Sequence, residues 1–188
     1  MNVATTFQEH SLEAQREAFA RSPFLAMPLA GIIAWSLIGV AGYMLPTGLA
    51  IWALFIGTGA IFSLGLLVAK FTGEDLLGKT RKGNEFDRLF MGGVLMSWLV
   101  FAIAVPFLRA EPSSLPLTVG ILAGLMWIPF GWIVRHPVGL FHAVTRTVLV
   151  LAAWYLWPEQ RFVVIPAVIV AVYLASIAML VARWKKMA

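Results

Sequence analysis

Cysteine is absent from this 188-residue chain, and it holds only three histidines. The first absence excludes disulfides, thiolate metal sites, iron–sulfur clusters held by thiolate and a cysteine nucleophile. The second leaves His136 and His142 as too few for a typical zinc site, since no carboxylate accompanies them in sequence. Haem held by paired histidines would need another histidine inside a second apolar stretch, and His10 lies before the first. Acidic residues are missing from every long apolar stretch, as are GxSxG and HExxH motifs, so an intramembrane hydrolase has neither nucleophile nor metal. No cofactor and no metal are expected, and an enzyme is the minor reading.

Charge of either sign is scarce. Only 12% of residues are Asp, Glu, Lys or Arg, against about 25% in soluble domains, while 61% are hydrophobic and the mean hydropathy is +0.88. The apolar residues fall into six stretches, Phe24 to Leu45, Leu49 to Lys70, Leu89 to Phe107, Leu117 to Val134, Gly139 to Trp157 and Phe162 to Arg183. Each is roughly 18 to 22 residues long, enough to cross a hydrocarbon core about 30 Å thick. The expected fold is therefore all-α, a polytopic membrane bundle of six transmembrane helices over residues 24–184. A short helix over 1–23 precedes it, and a basic tail over 185–188 follows.

The basic residues decide the orientation. Alternate connections put Arg16, Arg21, Lys70, Lys79, Arg81, Lys82, Arg88, Arg135, Arg183, Lys185 and Lys186 on one side, and only Arg109 and Arg161 on the other. The positive-inside rule then makes both termini cytoplasmic. The net charge of +5 reflects this topology, and neither nucleic acid nor a nucleotide is an expected partner. Residues 1–23 carry Glu9, Glu13 and Glu17, which do not suit a signal peptide, so insertion is expected to use the first span.

Thr6 and Glu9 have capping-box spacing. A helix from there gathers Phe7, Leu12, Ala14, Ala18 and Phe19 on one arc and Glu9, His10, Glu13, Arg16 and Glu17 on the other. Its acidic bias disfavours anionic lipid, which predicts docking on the protein's own cytoplasmic face. The outer connections, Pro46-Thr47-Gly48, Arg109 to Pro116 and Pro158 to Arg161, are short and turn-like, so consecutive spans are expected to pair as three hairpins. Gly120 with Gly124 makes a GxxxG pair. Gly59 with Ser63, Gly93 with Ser97, Ala171 with Ala175 and Ala178 with Ala182 share the small-xxx-small spacing, which predicts packing seams within one subunit or, alternatively, a homo-oligomer interface. Pro28, Pro129 and Pro166 sit in or near apolar stretches, where each removes a backbone donor and can kink a helix.

Two constellations resemble chemistry. Gly73-Glu-Asp-Leu-Leu-Gly78-Lys79-Thr80 fits GxxxxGK[ST] letter for letter, but a working phosphate loop joins a buried strand to a helix. Here it joins membrane spans and places Glu74 and Asp75 where phosphates would lie, so it reads as a hydrated loop. Arg146 is the stronger candidate. It falls about nine residues into the fifth span, roughly 13 Å deep at 1.5 Å per residue, with His142 one turn earlier on the same face. With no acidic residue inside a span, its counter-charge must be a ligand, a lipid phosphate or an array of carbonyl dipoles, unless it snorkels to the interface. Trp127 and Trp132 are candidates to line the same cavity or to anchor the span ends.

The run Ile51-Trp-Ala-Leu-Phe-Ile-Gly57, Lys82-Gly-Asn84 with Arg88-Leu89, and Pro129-Phe-Gly131 followed by Arg135 resemble a family of small bacterial six-span membrane proteins catalogued as a domain of unknown function. That resemblance implies a bacterial inner-membrane location and no catalytic residues. Two functions remain. A carrier or binding protein for a small solute, an anion among the candidates, or for a lipid headgroup would use Arg146 to hold charge and His142 to orient it or couple a proton. A non-transporting scaffold or assembly partner would use the small-residue surfaces.

Overall fold

The computed structural model describes residues 11–187, which are helical with no β-strand among them. The amino-terminal helix α1 (Leu12–Ala20) begins where the Ser11 hydroxyl accepts from the Ala14 amide at 3.2 Å. The Thr6–Glu9 capping box lies outside the described residues, as do Phe7 and His10. The expected division of α1 into faces needs correction: Leu12 is exposed, whereas Arg16 is buried and paired with Glu13. Phe19 is the residue that anchors the helix, packed on Phe24 and Phe90 with the Arg81 guanidinium over its ring. Polar contacts complete the docking. Asn84 Nδ2 donates to the Gln15 carbonyl at 2.7 Å, Arg135 pairs with Glu13, and Arg183 donates to the carbonyls of Ala20 and Ser22.

Nine further helices follow: α2 (Ala26–Met44), α3 (Thr47–Gly59), α4 (Ile61–Thr72), α5 (Glu85–Leu99), α6 (Phe101–Ala110), α7 (Ser114–Leu122), α8 (Trp127–Ile133), α9 (Val138–Leu156) and α10 (Arg161–Lys185). Five helical segments are long and apolar enough to cross a bilayer: Ala26–Met44, Glu85–Ala110, Ser114–Ile133, Val138–Leu156 and Pro158–Lys185. The pair α3 and α4 supplies a sixth, bent by 50°. In the segment of α5 and α6 only 17% of the most apolar window is buried, and Leu37, Tyr43, Trp52, Phe71 and Tyr155 elsewhere stand exposed. An apolar exterior of this extent is unsuited to water and fits contact with lipid.

Besides a one-residue turn at Val100 between α5 and α6, two expected continuous spans are broken. Between α3 and α4 the chain reads Gly57-Thr58-Gly59-Ala60, two glycines that weaken the helix, and Thr58 Oγ1 bonds back to the Leu54 carbonyl at 2.6 Å, a contact that bends helices. Between α7 and α8 the residues Ala123–Met126 tighten into a 3-10 turn just before Pro129, which cannot supply a backbone donor. Pro28 lies in the first turn of α2, where a missing donor costs nothing, and Pro166 lies inside α10.

α2 and α10 form the centre. They pack together along their length, with α4 and α3 against α2, and α9 and α7 against α10. The tight turn from α8 into α9 depends on paired glycines, since a Cβ on Gly139 would collide with the backbone of Trp127 and Gly131. At the outer connections the Arg161 guanidinium lies 3.4 Å from the centre of the Trp154 ring and donates to Ser113 Oγ at 2.7 Å, tying α7 to α9 and α10.

The loop that matches the phosphate-loop pattern is organised by its own carboxylates. Gly73 ends α4 in the left-handed conformation that glycine favours (φ 71°). Glu74 is buried and its Oε1 accepts from the Leu25 and Ala26 amides, both at 2.8 Å, capping the start of α2. Asp75 accepts from the amide and hydroxyl of Thr80, both at 2.7 Å. Burial works against the Asp75 charge, but the Thr80 hydroxyl and amide, the Lys79 amide and the Arg81 guanidinium outweigh it and lower its pKa from 3.8 to about 2. Its contribution to loop order is therefore complete above pH 3.8 and lost as pH falls toward 2. Asp75→Asn is expected to speed hydrogen exchange at the Thr80 amide at neutral pH by several-fold, and the wild type to show the same acceleration only as pH drops through that window. Exchange rates unchanged by the substitution would refute this account of the loop.

Candidate functional site

One stripe of α9 faces the bundle: Val138, Gly139, His142, Ala143, Arg146, Val150 and Ala153 are buried. Their three- and four-residue steps follow the helical period, and they leave Val144, Val148 and Leu151 outside. Arg146 stands near the middle of this stripe with 1% of its surface exposed. It does not snorkel.

The break in the fourth apolar segment makes that burial tolerable. The last carbonyls of α7 lose regular helical partners where the 3-10 turn begins, and the Gly120 carbonyl accepts from Arg146 Nε at 2.5 Å. A cation at a helix carboxyl end is also favoured by the helix dipole. Gly124 clears the space, because a Cβ there would lie 2.8 Å from Arg146 Cδ. The guanidinium carbon sits 5.5 Å from the Trp35 ring centre and 5.6 Å from that of Tyr173, within cation–π range. Gly31 makes room for the Tyr173 ring, which a Cβ would approach to 2.6 Å.

His142 orients the arginine. Its ring stacks on Trp127 with centroids 3.9 Å apart and planes 9° apart. Ser176 Oγ gives its one proton to the Val172 carbonyl at 2.8 Å, so its contact with His142 Nδ1 at 2.9 Å is one in which the histidine donates. Nε2 is then the acceptor, and it faces Arg146 Nη1 at 3.4 Å, the distance at which Nη1 also meets the Tyr173 hydroxyl. No ion pair to Arg146 exists among the described residues, and its Nη2 is buried without a partner.

A cavity of about 100 Å³ adjoins this cluster. Trp35, Val119, Trp127, Arg146 and Tyr173 line its inner end, and Phe24, Glu74 and Leu76 its opposite end. The side wall comprises Thr58, Ile61 and Phe62 from the bent pair, with Phe90, Val94, Ser97, Trp98 and Phe101 from α5 and α6. The lining is aromatic and aliphatic with few polar groups, the composition of a small-molecule site. Trp98 is both a lining residue and 54% exposed, so the cavity reaches the outer apolar surface there.

The structure brings together only part of the set named from sequence. Arg146, His142 and Trp127 join in one cluster, although His142 lies behind the arginine and is not a lining residue. Trp132 is 70% exposed and belongs to the outer surface, so it does not line the cavity. Gly120 packs against Val150, Ile165 and Ile169, and Gly93 with Ser97 meets Met126, so these are internal seams. Gly59 and Ser63 are exposed, separated by the break at Ala60, and no atom lies within 4 Å of a Cβ built on Gly59. Ala171, Ala175, Ala178 and Ala182 also face outward. Sequence reasoning missed Trp35, Tyr173, Ser176 and Glu74. Among the described residues no group of three or more His, Asp or Glu is placed to hold a metal ion.

Residues 12–183 match the model of a family of unknown function, DUF7010. Neither the curated proteins nor the solved structures contain a match to the chain.

Replacing His142 by Phe keeps a ring to stack on Trp127 but removes the donor to Ser176 and the acceptor for Arg146. The expected cost is about 1 to 3 kcal/mol, the range for leaving buried polar partners unmet, measured by equilibrium unfolding in mixed micelles. Unchanged stability would show that the histidine bonds contribute nothing to holding the arginine.

Proposed function

The chain belongs to the DUF7010 family, and we propose that it is a bacterial inner-membrane binding protein or carrier for a small amphiphilic anion. In this reading six spans pair as three hairpins with both termini in the cytoplasm, following the distribution of basic residues. One observation carries the proposal: a fully buried arginine lines an apolar cavity, has no carboxylate partner and leaves Nη2 unsatisfied. An intramembrane cation of this kind is a ligand or coupling site by default, because its desolvation must be offset. The Gly120 carbonyl and the two rings offset part of it and leave Nη2 without an acceptor. A carboxylate or phosphate on an apolar body satisfies both the arginine and the cavity wall. Access beside Trp98 favours entry from the bilayer. Since only 1% of Arg146 is exposed, the incoming group must displace a neighbouring ring, Trp35 or Tyr173, by a rotamer change of the sort common on binding.

Octanoate is a suitable first probe. It is expected to raise the melting temperature of the purified protein, and Arg146→Lys is expected to weaken its binding at least tenfold, because a lysine ammonium lacks the fork that receives a carboxylate. Full retention of binding by that variant would rule out the arginine as anion receptor.

A second reading, a non-transporting scaffold, draws on the outward stripe of Ala171, Ala175, Ala178 and Ala182 on α10, whose spacing suits close approach of another helix. If the stripe is an interface, Ala175→Leu lowers the oligomeric state in sedimentation experiments and leaves octanoate binding unchanged. An unaltered state would remove this reading's support.

A further inference from the structure

Glu74 is the second charged side chain on the cavity wall, and it stands at the end opposite Arg146. One of its oxygens is committed. Oε1 accepts the amides of Leu25 and Ala26 and so holds the start of α2. The other, Oε2, is buried without a hydrogen-bond partner, although the residue is only 9% exposed. A buried carboxylate oxygen with no donor is costly unless something supplies one. The Thr72 hydroxyl, also buried, is near enough to favour the Glu74 charge, but it lies outside hydrogen-bond distance and does not line the cavity.

The cavity thus has an unpaired donor at one end and an unpaired acceptor at the other, with an apolar wall between them. The two ends are separated along α2 by the nine residues from Ala26, bound by Glu74, to Trp35, under Arg146. At 1.5 Å per residue this is about 13 Å. A hydrogen bond of about 2.9 Å at each end leaves roughly 7 to 8 Å for the ligand's own span between polar atoms. The two side chains form no ion pair with each other.

We propose that the ligand is bipolar: an apolar body of four or five methylenes' length, carrying an anionic group that docks on Arg146 and an ammonium that docks on Glu74. This rests on the reading of Arg146 as an anion receptor and adds the chemistry of the far end. A single-headed fatty acid would fill the cavity and satisfy the arginine, but would leave the Glu74 oxygen unmet. An amine at the other terminus supplies the missing donor and the opposite charge.

The test compares ω-aminohexanoate, hexanoate, hexylamine and N-acetylated ω-aminohexanoate on the full-length protein in lipid nanodiscs, by calorimetric titration. The expected result is that ω-aminohexanoate binds at least tenfold more tightly than hexanoate. Acetylating its amine removes that advantage, and Glu74→Gln removes it as well. The glutamine keeps a carbonyl to accept the Leu25 and Ala26 amides. If that variant does not fold, the acetylated probe on the wild type gives the same answer. Equal affinity for ω-aminohexanoate and hexanoate, or an advantage that survives either change, overturns the role of Glu74 and leaves the Arg146 reading standing. Absence of binding by both carboxylates overturns the two together.

Discussion

A guanidinium enclosed in an apolar bundle sets the terms for everything around it. Burying a cation without compensation is costly enough to unfold a helical bundle, so its neighbours must supply electron density. Arg146 takes a carbonyl at Gly120, the faces of Trp35 and Tyr173 and the Nε2 of His142. Each of these needs its own support. The carbonyl is free because α7 yields to a 3-10 turn, the tyrosine fits because residue 31 is glycine, and the histidine tautomer is fixed by Ser176, itself bonded to the Val172 carbonyl. The break in the fourth apolar segment is therefore part of the site. An unbroken helix there would pair its carbonyls internally and offer the arginine nothing.

The same reasoning separates the glycines by what they permit. Gly124 admits the arginine stem, and Gly139 with Gly131 lets α8 and α9 meet at their backbones. Gly57 and Gly59 instead weaken the second apolar stretch so that it bends, and the bend places Thr58 and Ile61 on the cavity wall. Small residues thus do two jobs in one chain, close approach in some helices and bending in another. The spacing rule alone does not separate them.

Legibility in the sequence followed the strength of the physical signal. Apolar stretches long enough to cross a bilayer are visible because burial in lipid demands an unbroken run, and five of them reappear as helical segments within a few residues of their expected limits. Arg146 was conspicuous because it is a lone charge in such a run, and His142 follows from the four-residue step. Trp35, Tyr173 and Ser176 were not legible. An aromatic or serine in an apolar helix is ordinary, and only the tertiary arrangement turns these three toward α9. Glu74 was hidden in a different way. Its place within a phosphate-loop pattern argued against anion binding, while its actual partner, the start of α2, lies 48 residues away from it in sequence. Trp132 and the pair Gly59 with Ser63 fit their motifs equally well but face outward, because local spacing does not say which side of a helix meets the bundle.

Separation of the two cavity charges explains why neither neutralises the other. At about 13 Å and an effective dielectric constant of about 20, opposite unit charges attract by only about 1.3 kcal/mol, against about 4 kcal/mol at 4 Å. Burial pushes the Glu74 carboxyl above its usual range, with the Ala26 and Leu25 amides acting in the opposite direction. That direction expresses the cost of holding its charge without a nearby cation. The Arg146 guanidinium stays charged under ordinary conditions. The fold compensates it with a carbonyl, two rings and an imidazole, whereas it gives Glu74 two amides on one oxygen and no donor on the other. Consequently the framework is built around Arg146, and Glu74 is the end of the cavity with a donor still to be met. A ligand that brings an ammonium to that end supplies the donor, and its anionic group adds at the other end the counter-charge that the protein lacks.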